Sequence, residues 1–428
     1  MASKSNLSVV IDIGTSKLVA LAGRATELGK MEILGMAKAP SKGIKRGVIF
    51  NLADVIESVT RVLELLDDQL EDEIDVVDVT YAGKQMKTLS YTASRFTGEG
   101  GVVSNFDIDE LYNEAKNVEL KSGYQILKVI PTSFIIDDEI EELKPVGVTG
   151  KKIEAHYKLV VIPENDLINL HRVFESVGVE LGEVFHSSLA IAEAVLPKSE
   201  KEMGTVVLDM GAGTTNLAVY HENALVHTAV IPFAGEVITN DLKCGCATFL
   251  EKAELLKVKY GQALGDQIKN EDKVTIAKNN GWEPKEISIK SLAYIIQARL
   301  EEIVEIVNTE IEKSGVKDLL GTGIVVTGGT ANLENIITLV KYHTGMDARK
   351  AHCIVHPINQ KDEVKHPDLF TAVGALKLAL TSMETPVRIF PESTRGNKTG
   401  KSIFPNFKGA LQSAINFFDD GNEDLEFK

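Results

Sequence analysis

Three short stretches hold residues suited to binding a polyphosphate. The first is Val10-Ile11-Asp12-Ile13-Gly14-Thr15-Ser16-Lys17, and the second is Val207-Leu208-Asp209-Met210-Gly211-Ala212-Gly213-Thr214-Thr215-Asn216. Each is an apolar run, an Asp, and then glycine and hydroxyl residues. Glycine lets a backbone approach a phosphate, N–H groups and hydroxyls donate to it, and Lys17 adds charge. Asp12 and Asp209 are candidate Mg²⁺ contacts through water, because that ion sheds its hydration reluctantly. Either turn by itself reads as a β-hairpin. Two similar turns in one chain imply two related halves facing one ligand. The third stretch is Gly323-Ile324-Val325-Val326-Thr327-Gly328-Gly329-Thr330-Ala331. A strand ending in Gly-Gly lets backbone pack on a flat, uncharged group such as adenosine.

The elements needed to position these turns are legible in the apolar periodicity. Residues Leu7 to Ile13, Leu18 to Gly23, Asp75 to Tyr81, Val206 to Met210 and Ile324 to Thr327 read as strands. Residues Leu52 to Leu66, Glu164 to Val177 (stopped by Gly178), Ser188 to Leu196, Glu236 to Tyr260 in two pieces, Ser291 to Ser314 and Asp368 to Leu380 read as helices. Between Gly83 and Pro163 the pattern changes to a small α+β module. Its short strands are Ile126 to Ile130 and Tyr157 to Ile162, and its helix is Ile108 to Val118 with Asp107 or Asp109 at the N-cap.

The order Asp–Gly turn, Asp–Gly turn, Gly–Gly turn resembles the actin/Hsp70/sugar-kinase ATPase superfamily. It contains neither a Walker GxxxxGK[ST] nor a Rossmann GxGxxG. Within that superfamily, Ile231-Pro232-Phe233-Ala234-Gly235-Glu236-Val237-Ile238-Thr239-Asn240-Asp241-Leu242 and Glu251-Lys252-Ala253-Glu254-Leu255-Leu256-Lys257-Val258-Lys259-Tyr260-Gly261 resemble the bacterial cell-division family FtsA. Ile126 to Pro131 and Pro145 to Gly150 are similar to that family's own subdomain, 1C. The resemblance runs from about residue 8 to 380 and returns at the C-terminus.

The resemblance implies an α/β, actin-like, two-lobed fold. Subdomain 1A would combine 1–83, 164–202 and 367–385, with 1C at 84–163. Subdomain 2A would combine 203–238 and 315–366, with 2B at 239–314. It implies ATP and Mg as cofactors. Asp12, Gly14, Thr15, Ser16 and Lys17 would form one phosphate loop, and Asp209, Gly211, Gly213, Thr214 and Thr215 the other. Gly235, Glu254 and Lys257 would line the ribose and adenine, and Gly328, Gly329 and Thr330 would close the pocket. It also implies a protein that polymerises with itself and anchors the FtsZ ring to the cytoplasmic side of the cell membrane at the division septum. Later division proteins would be recruited through 1C, and the FtsZ C-terminal tail would dock on 2B near Arg299. An internal salt bridge is the competing role for Arg299.

Two departures from the family pattern bear on hydrolysis. Asn216 stands where many relatives carry Asp. The stretch Phe185-His186-Ser187-Ser188-Leu189-Ala190, where superfamily ATPases often place a water-orienting Gln or Glu, has no carboxylate or amide. His186 could accept a proton, but reads first as a packed histidine. The catalytic residue is unassigned, and hydrolysis is expected to be slow at most.

Thr385 to Lys401 has linker composition, and 386–401 is taken as a flexible linker. In the following 402–418, Phe404, Phe407, Leu411, Ile415 and Phe418 form one helical stripe, and 419–428 is acidic. This pattern fits an interfacial membrane helix. Lys408 is its only basic residue, so apolar insertion, roughly 5 kcal/mol over five side chains, would dominate the attachment. Membrane lipid is therefore an expected partner.

The formal net charge of -16 argues against nucleic acid as a partner. The three cysteines, Cys244, Cys246 and Cys353, do not make a disulfide framework, and the Cys244/Cys246 pair reads as small, mostly buried side chains. No apolar run reaches the length of a membrane span. Two other functions fit an ATPase core of this kind. A small-molecule kinase would need a sugar cleft with a catalytic Asp, which is not seen. A scaffold of the PilM type would lack the terminal amphipathic helix.

Overall fold

The computed structural model describes residues 7–26, 29–98, 100–121, 123–269, 272–276, 285–359 and 365–384. The linker, the amphipathic segment with Phe404, Phe407, Leu411, Ile415 and Phe418, and the acidic tail lie outside the described residues.

Two five-stranded sheets carry the two Asp turns, and they share one topology. In the first, Met31–Pro40, Lys17–Ala25, Ser8–Ile13, Val76–Tyr81 and Glu180–His186 lie side by side in that order. In the second the order is Ala224–Ile231, Thr215–His221, Thr205–Met210, Ile324–Thr327 and Ala348–Lys350. Each sheet has two antiparallel pairings followed by two parallel ones. The central strands, Ser8–Ile13 and Thr205–Met210, are almost wholly buried. Strands covered on both faces read as unbroken apolar runs, which is why these two stood out in the sequence.

Between the sheets lie the helices Ser187–Val195 and Phe370–Glu384. Their Ile191, Val195, Phe370, Val373 and Leu376 join Val10 and Leu21 of the first sheet and Val207 and Ala218 of the second in one core. The two helices touch backbone to backbone: a Cβ on Gly374 would sit 1.7 Å from the Ala190 carbonyl oxygen.

The inserted module is a four-stranded antiparallel sheet in the order Lys87–Phe96, Lys152–Pro163, Tyr124–Ile136, Ile140–Glu142. The helix Asn105–Lys116 covers it through Leu111 and Ala115, which pack with Phe134, Ile153 and Tyr157. Its strands are longer than the short ones expected. Their outward positions carry Lys152, Glu154, His156 and Lys158 between buried neighbours, and such alternation marks a half-buried strand. The helix also begins earlier than expected. Ser104 is the N-cap, in a reciprocal capping box with Asp107.

The remaining module has the helices Gly235–Gly245, Leu250–Tyr260 and the 25-residue Ile289–Lys313, with a two-stranded antiparallel pair, Lys273–Ile276 and Lys285–Ser288. Cys246 is buried there, whereas Cys244 is exposed, contrary to the expectation for that pair.

Candidate functional site

The shared topology brings the two Asp turns face to face. Asp12 is the penultimate residue of its strand, and Asp209 holds the same place in the second sheet. Parallel pairing sets Thr80 beside Asp12 and Thr327 beside Asp209. The turns then meet: a Cβ on Gly213 would lie 2.5 Å from Thr15 Oγ1 and 3.0 Å from Thr15 Cβ. Only glycine at position 213 allows that approach.

A cavity of ≈ 520 Å³ opens at this junction. Asp12, Gly14, Thr15, Ser16 and Lys17 line it from one side, and Asp209, Gly211, Gly213 and Thr214 from the other. Gly235, Glu254, Lys257, Gly328, Gly329 and Thr330 complete it. Thr215 is brought to the turn but not to the cavity. It is the first residue of the returning strand, is fully buried, and donates its hydroxyl to the Phe233 carbonyl at 2.8 Å. Gly47, Ala82, Ser187, Asn332, Leu333, His366, Asp368 and Thr371 also line the space. Apart from Ser187, which lies in the stretch weighed for a water-orienting residue, sequence reasoning did not find them, because tertiary closure delivers them from unrelated segments.

The two carboxyls are held in an environment that resists their charge. Burial pushes Asp12 up from its ordinary value, against a 2.6 Å hydrogen bond from the Thr80 hydroxyl and the nearby Lys17 charge. Burial pushes Asp209 up to about 6, and the Asp12 charge adds to the shift. The Asn216 amide, which donates to Asp209 at 3.3 Å, works the other way. Asn216 Oδ1 and Thr327 Oγ1 are buried without a hydrogen-bond partner among the described residues. Two desolvated carboxyls beside unpartnered oxygens suit a hydrated divalent cation.

Lys257, which also lines the cavity, is spoken for. Its ammonium donates to the Gly235 carbonyl at 3.0 Å and Thr239 Oγ1 at 2.8 Å, and pairs with Glu254 at 2.7 Å. This cluster ties the start of one helix to the middle of the next. Gly328, at φ 90, turns the strand end so closely that a Cβ would lie 2.4 Å from the Met210 carbonyl and 2.5 Å from Asp209 Oδ1.

His186 is packed. It is 1% exposed and caps the helix Ser187–Val195, with Nδ1 accepting from the Ser188 N–H at 3.2 Å. Burial pushes it down to about 4, so it is neutral at pH 7. It does not line the cavity, although its neighbour Ser187 does. Arg299 is engaged within the long helical module. It forks onto Asp241 at 2.6 and 3.1 Å and reaches Glu302 at 2.6 Å.

Residues 206–374 match the family model described as "Cell division protein FtsA", and residues 83–161 match "SHS2 domain inserted in FTSA". FtsA of Pseudomonas aeruginosa is 31% identical over 375 residues, covering 87% of this chain and 89% of its own length. FtsA of Escherichia coli K12 is 30% identical over 387 residues, covering 88% and 90%. The chain belongs to the FtsA family. Its role is in cell division, as in those FtsA relatives, and its inserted α+β module is the SHS2 domain of FtsA proteins.

Solved structures agree on the fold. The chain is similar to the PilM–PilN type IV pilus biogenesis complex at TM-score 0.59 and 13% identity, covering 87% of this chain and 98% of the other. It is similar to Spiroplasma citri MreB5 bound to ADP at TM-score 0.54 and 14% identity, covering 90% and 99%. The FtsA architecture here is thus the actin-like one, with the cavity between its two duplicated sheets. No helix among the described residues is long and apolar enough to cross a membrane.

Proposed function

We propose that this FtsA-family protein binds ATP with Mg²⁺ in the cavity between the two sheets, polymerises, and anchors FtsZ filaments to the cytoplasmic face of the cell membrane at the septum. The observation that carries the nucleotide reading is the closure of Thr15 onto Gly213 between two partly buried aspartates whose carboxyls are pushed up by desolvation. This juxtaposition gives two glycine- and hydroxyl-bearing turns converging on one space, which is what a phosphate chain needs from its donors. An MreB5 relative of the same fold has been solved with ADP and with AMPPNP, which supports the same reading.

In this reading the backbone and hydroxyls of Gly14 to Ser16 and Gly211 to Thr214 hold the phosphates, and Lys17 supplies charge. Asp12 and Asp209 face the water shell of Mg²⁺, whose charge when bound offsets that of the phosphates. Gly235, Glu254 and Lys257 flank the ribose and adenine, and Gly328, Gly329 and Thr330 close on them. No side chain in the cavity is assigned as a general base. His186 is neutral, buried and turned to its own helix, so nucleotide acts chiefly as a conformational switch for assembly. The division into 1A, 1C, 2A and 2B belongs to the same proposal, as does recruitment of later division proteins through 1C.

The membrane contact is assigned to Phe404, Phe407, Leu411, Ile415 and Phe418. Weak single attachments of that kind become firm when multiplied along a polymer. The FtsZ tail is assigned to the helical module near Arg299. Because Arg299 is held by Asp241 and Glu302, any carboxylate of that tail would have to exchange with theirs.

Equilibrium titration with ATP·Mg tests the nucleotide reading. Binding to the wild type, and its loss in Gly213→Val, is the expected outcome. Equal binding by both would remove the site from this junction.

A further inference from the structure

Lys17, the phosphate-loop cation, already has an anion. It forms a salt bridge with Asp368, and both side chains line the cavity. Asp368 sits on the short helical turn Pro367–Leu369, where its backbone N–H donates to His366 Nδ1 at 3.3 Å. The other carboxylate oxygen lies 3.7 Å from Lys38 and 3.5 Å from His366. The carboxylate is only 25% exposed. Burial pushes it up, but Lys17, His366 and Lys38 outweigh burial and hold it below the usual carboxylate range. It is therefore a negative charge in the wall of the proposed phosphate site.

We propose that Asp368 is an internal counter-anion for Lys17, with which the phosphates of a nucleotide must compete, so that it weakens nucleotide affinity in step with phosphate charge. The inference rests on the cleft being a nucleotide site. Two effects act in the same direction. A bound polyphosphate must compete with Asp368 for Lys17, and it must sit near a second negative charge. Lys257 offers no substitute, because its donors are taken by Gly235, Thr239 and Glu254. Asp368 also leads directly into the helix Phe370–Glu384, whose Gly374 rests on Ala190. The turn holding the counter-anion is thus anchored in the core shared by both sheets, and it does not swing away freely.

The test is calorimetric titration of the full chain with ATP·Mg, ADP·Mg and adenosine. The proteins are wild type, Asp368→Asn, Lys17→Met and the double variant. Asn keeps the turn, since the bond to His366 is made by the main chain. The expected result is ATP bound about tenfold more tightly by Asp368→Asn, ADP tightened less, and adenosine unchanged. The gain should shrink at high salt and vanish in the Lys17→Met background. A merely structural effect would move adenosine equally. If ATP binds wild type and Asp368→Asn alike, the counter-anion is overturned while the nucleotide site stands. If neither protein binds ATP, the nucleotide reading and this inference fall together.

Discussion

The Gly328–Gly329 pair allows the cavity's role to be separated from its construction. At Gly328, φ is 90, and an added Cβ would press 2.4 Å from the Met210 carbonyl and 2.5 Å from Asp209 Oδ1. An alanine there, at φ 90 and ψ 171, takes on backbone strain of about 1–3 kcal/mol and overlap with backbone of about 1–3 kcal/mol. The total is about 3 kcal/mol, or a fall in Tm of about 6 °C for a lobe of this size. At Gly329 an added Cβ meets nothing within 4 Å and points into open space on the cavity wall. Gly329→Ala should therefore melt within about 2 °C of wild type, yet bind ATP at least tenfold more weakly if adenosine lies against that wall. Differential scanning calorimetry and calorimetric titration on both variants read the two effects. A Gly328→Ala protein as stable as wild type would refute the packing argument. A Gly329→Ala protein with wild-type affinity would refute the placement of adenosine.

The remaining predictions concern charge and helix contact. Asp209 has a folded pKa of about 6, above its ordinary 3.8, so its ionised form opposes folding from that range upward. Asp209→Asn should stabilise the free protein at pH 7 by up to about 3 kcal/mol, measured by denaturant unfolding, while removing stabilisation by ATP·Mg. His186 shifts the opposite way for a base, from 6.5 to about 4, so its contribution is complete above pH 6.5 and is lost as pH falls towards 4. The stability advantage of wild type over His186→Asn should shrink by about 3 kcal/mol across that window. Gly374→Ala would drive a methyl to 1.7 Å from the Ala190 carbonyl. It should cost about 3 kcal/mol or more, seen as a lowered Tm or loss of soluble protein.

The sequence was most readable where one physical signal dominated. The strands of Asp12 and Asp209 are buried on both faces and so appear as plain apolar runs. The helix Glu164–Val177 ends where expected because Gly178 takes the left-handed cap, at φ 88. The SHS2 strands were underestimated because one face is solvated, and Lys152, Glu154, His156 and Lys158 dilute the apolar count. Thr215 was expected in the phosphate loop because its hydroxyl resembles that of Thr214, but it does not line the cavity. In the structure it begins a strand, and its hydroxyl serves the Phe233 carbonyl. Asp368 gave no signal, since its partnership with Lys17 exists only once the end of the chain's core has folded back onto its beginning. The convergence of the two Asp turns was legible; ion pairs between distant segments, such as Lys17 with Asp368, were not.

The central claim, that this protein joins FtsZ to a membrane, is tested most directly by pelleting FtsZ filaments with liposomes in ATP·Mg, using the full chain or a truncation after Lys401. The account predicts that FtsZ pellets with liposomes only when the full chain is present, and stays in the supernatant with the truncation. Equal recruitment by both forms, or none by either, would contradict it.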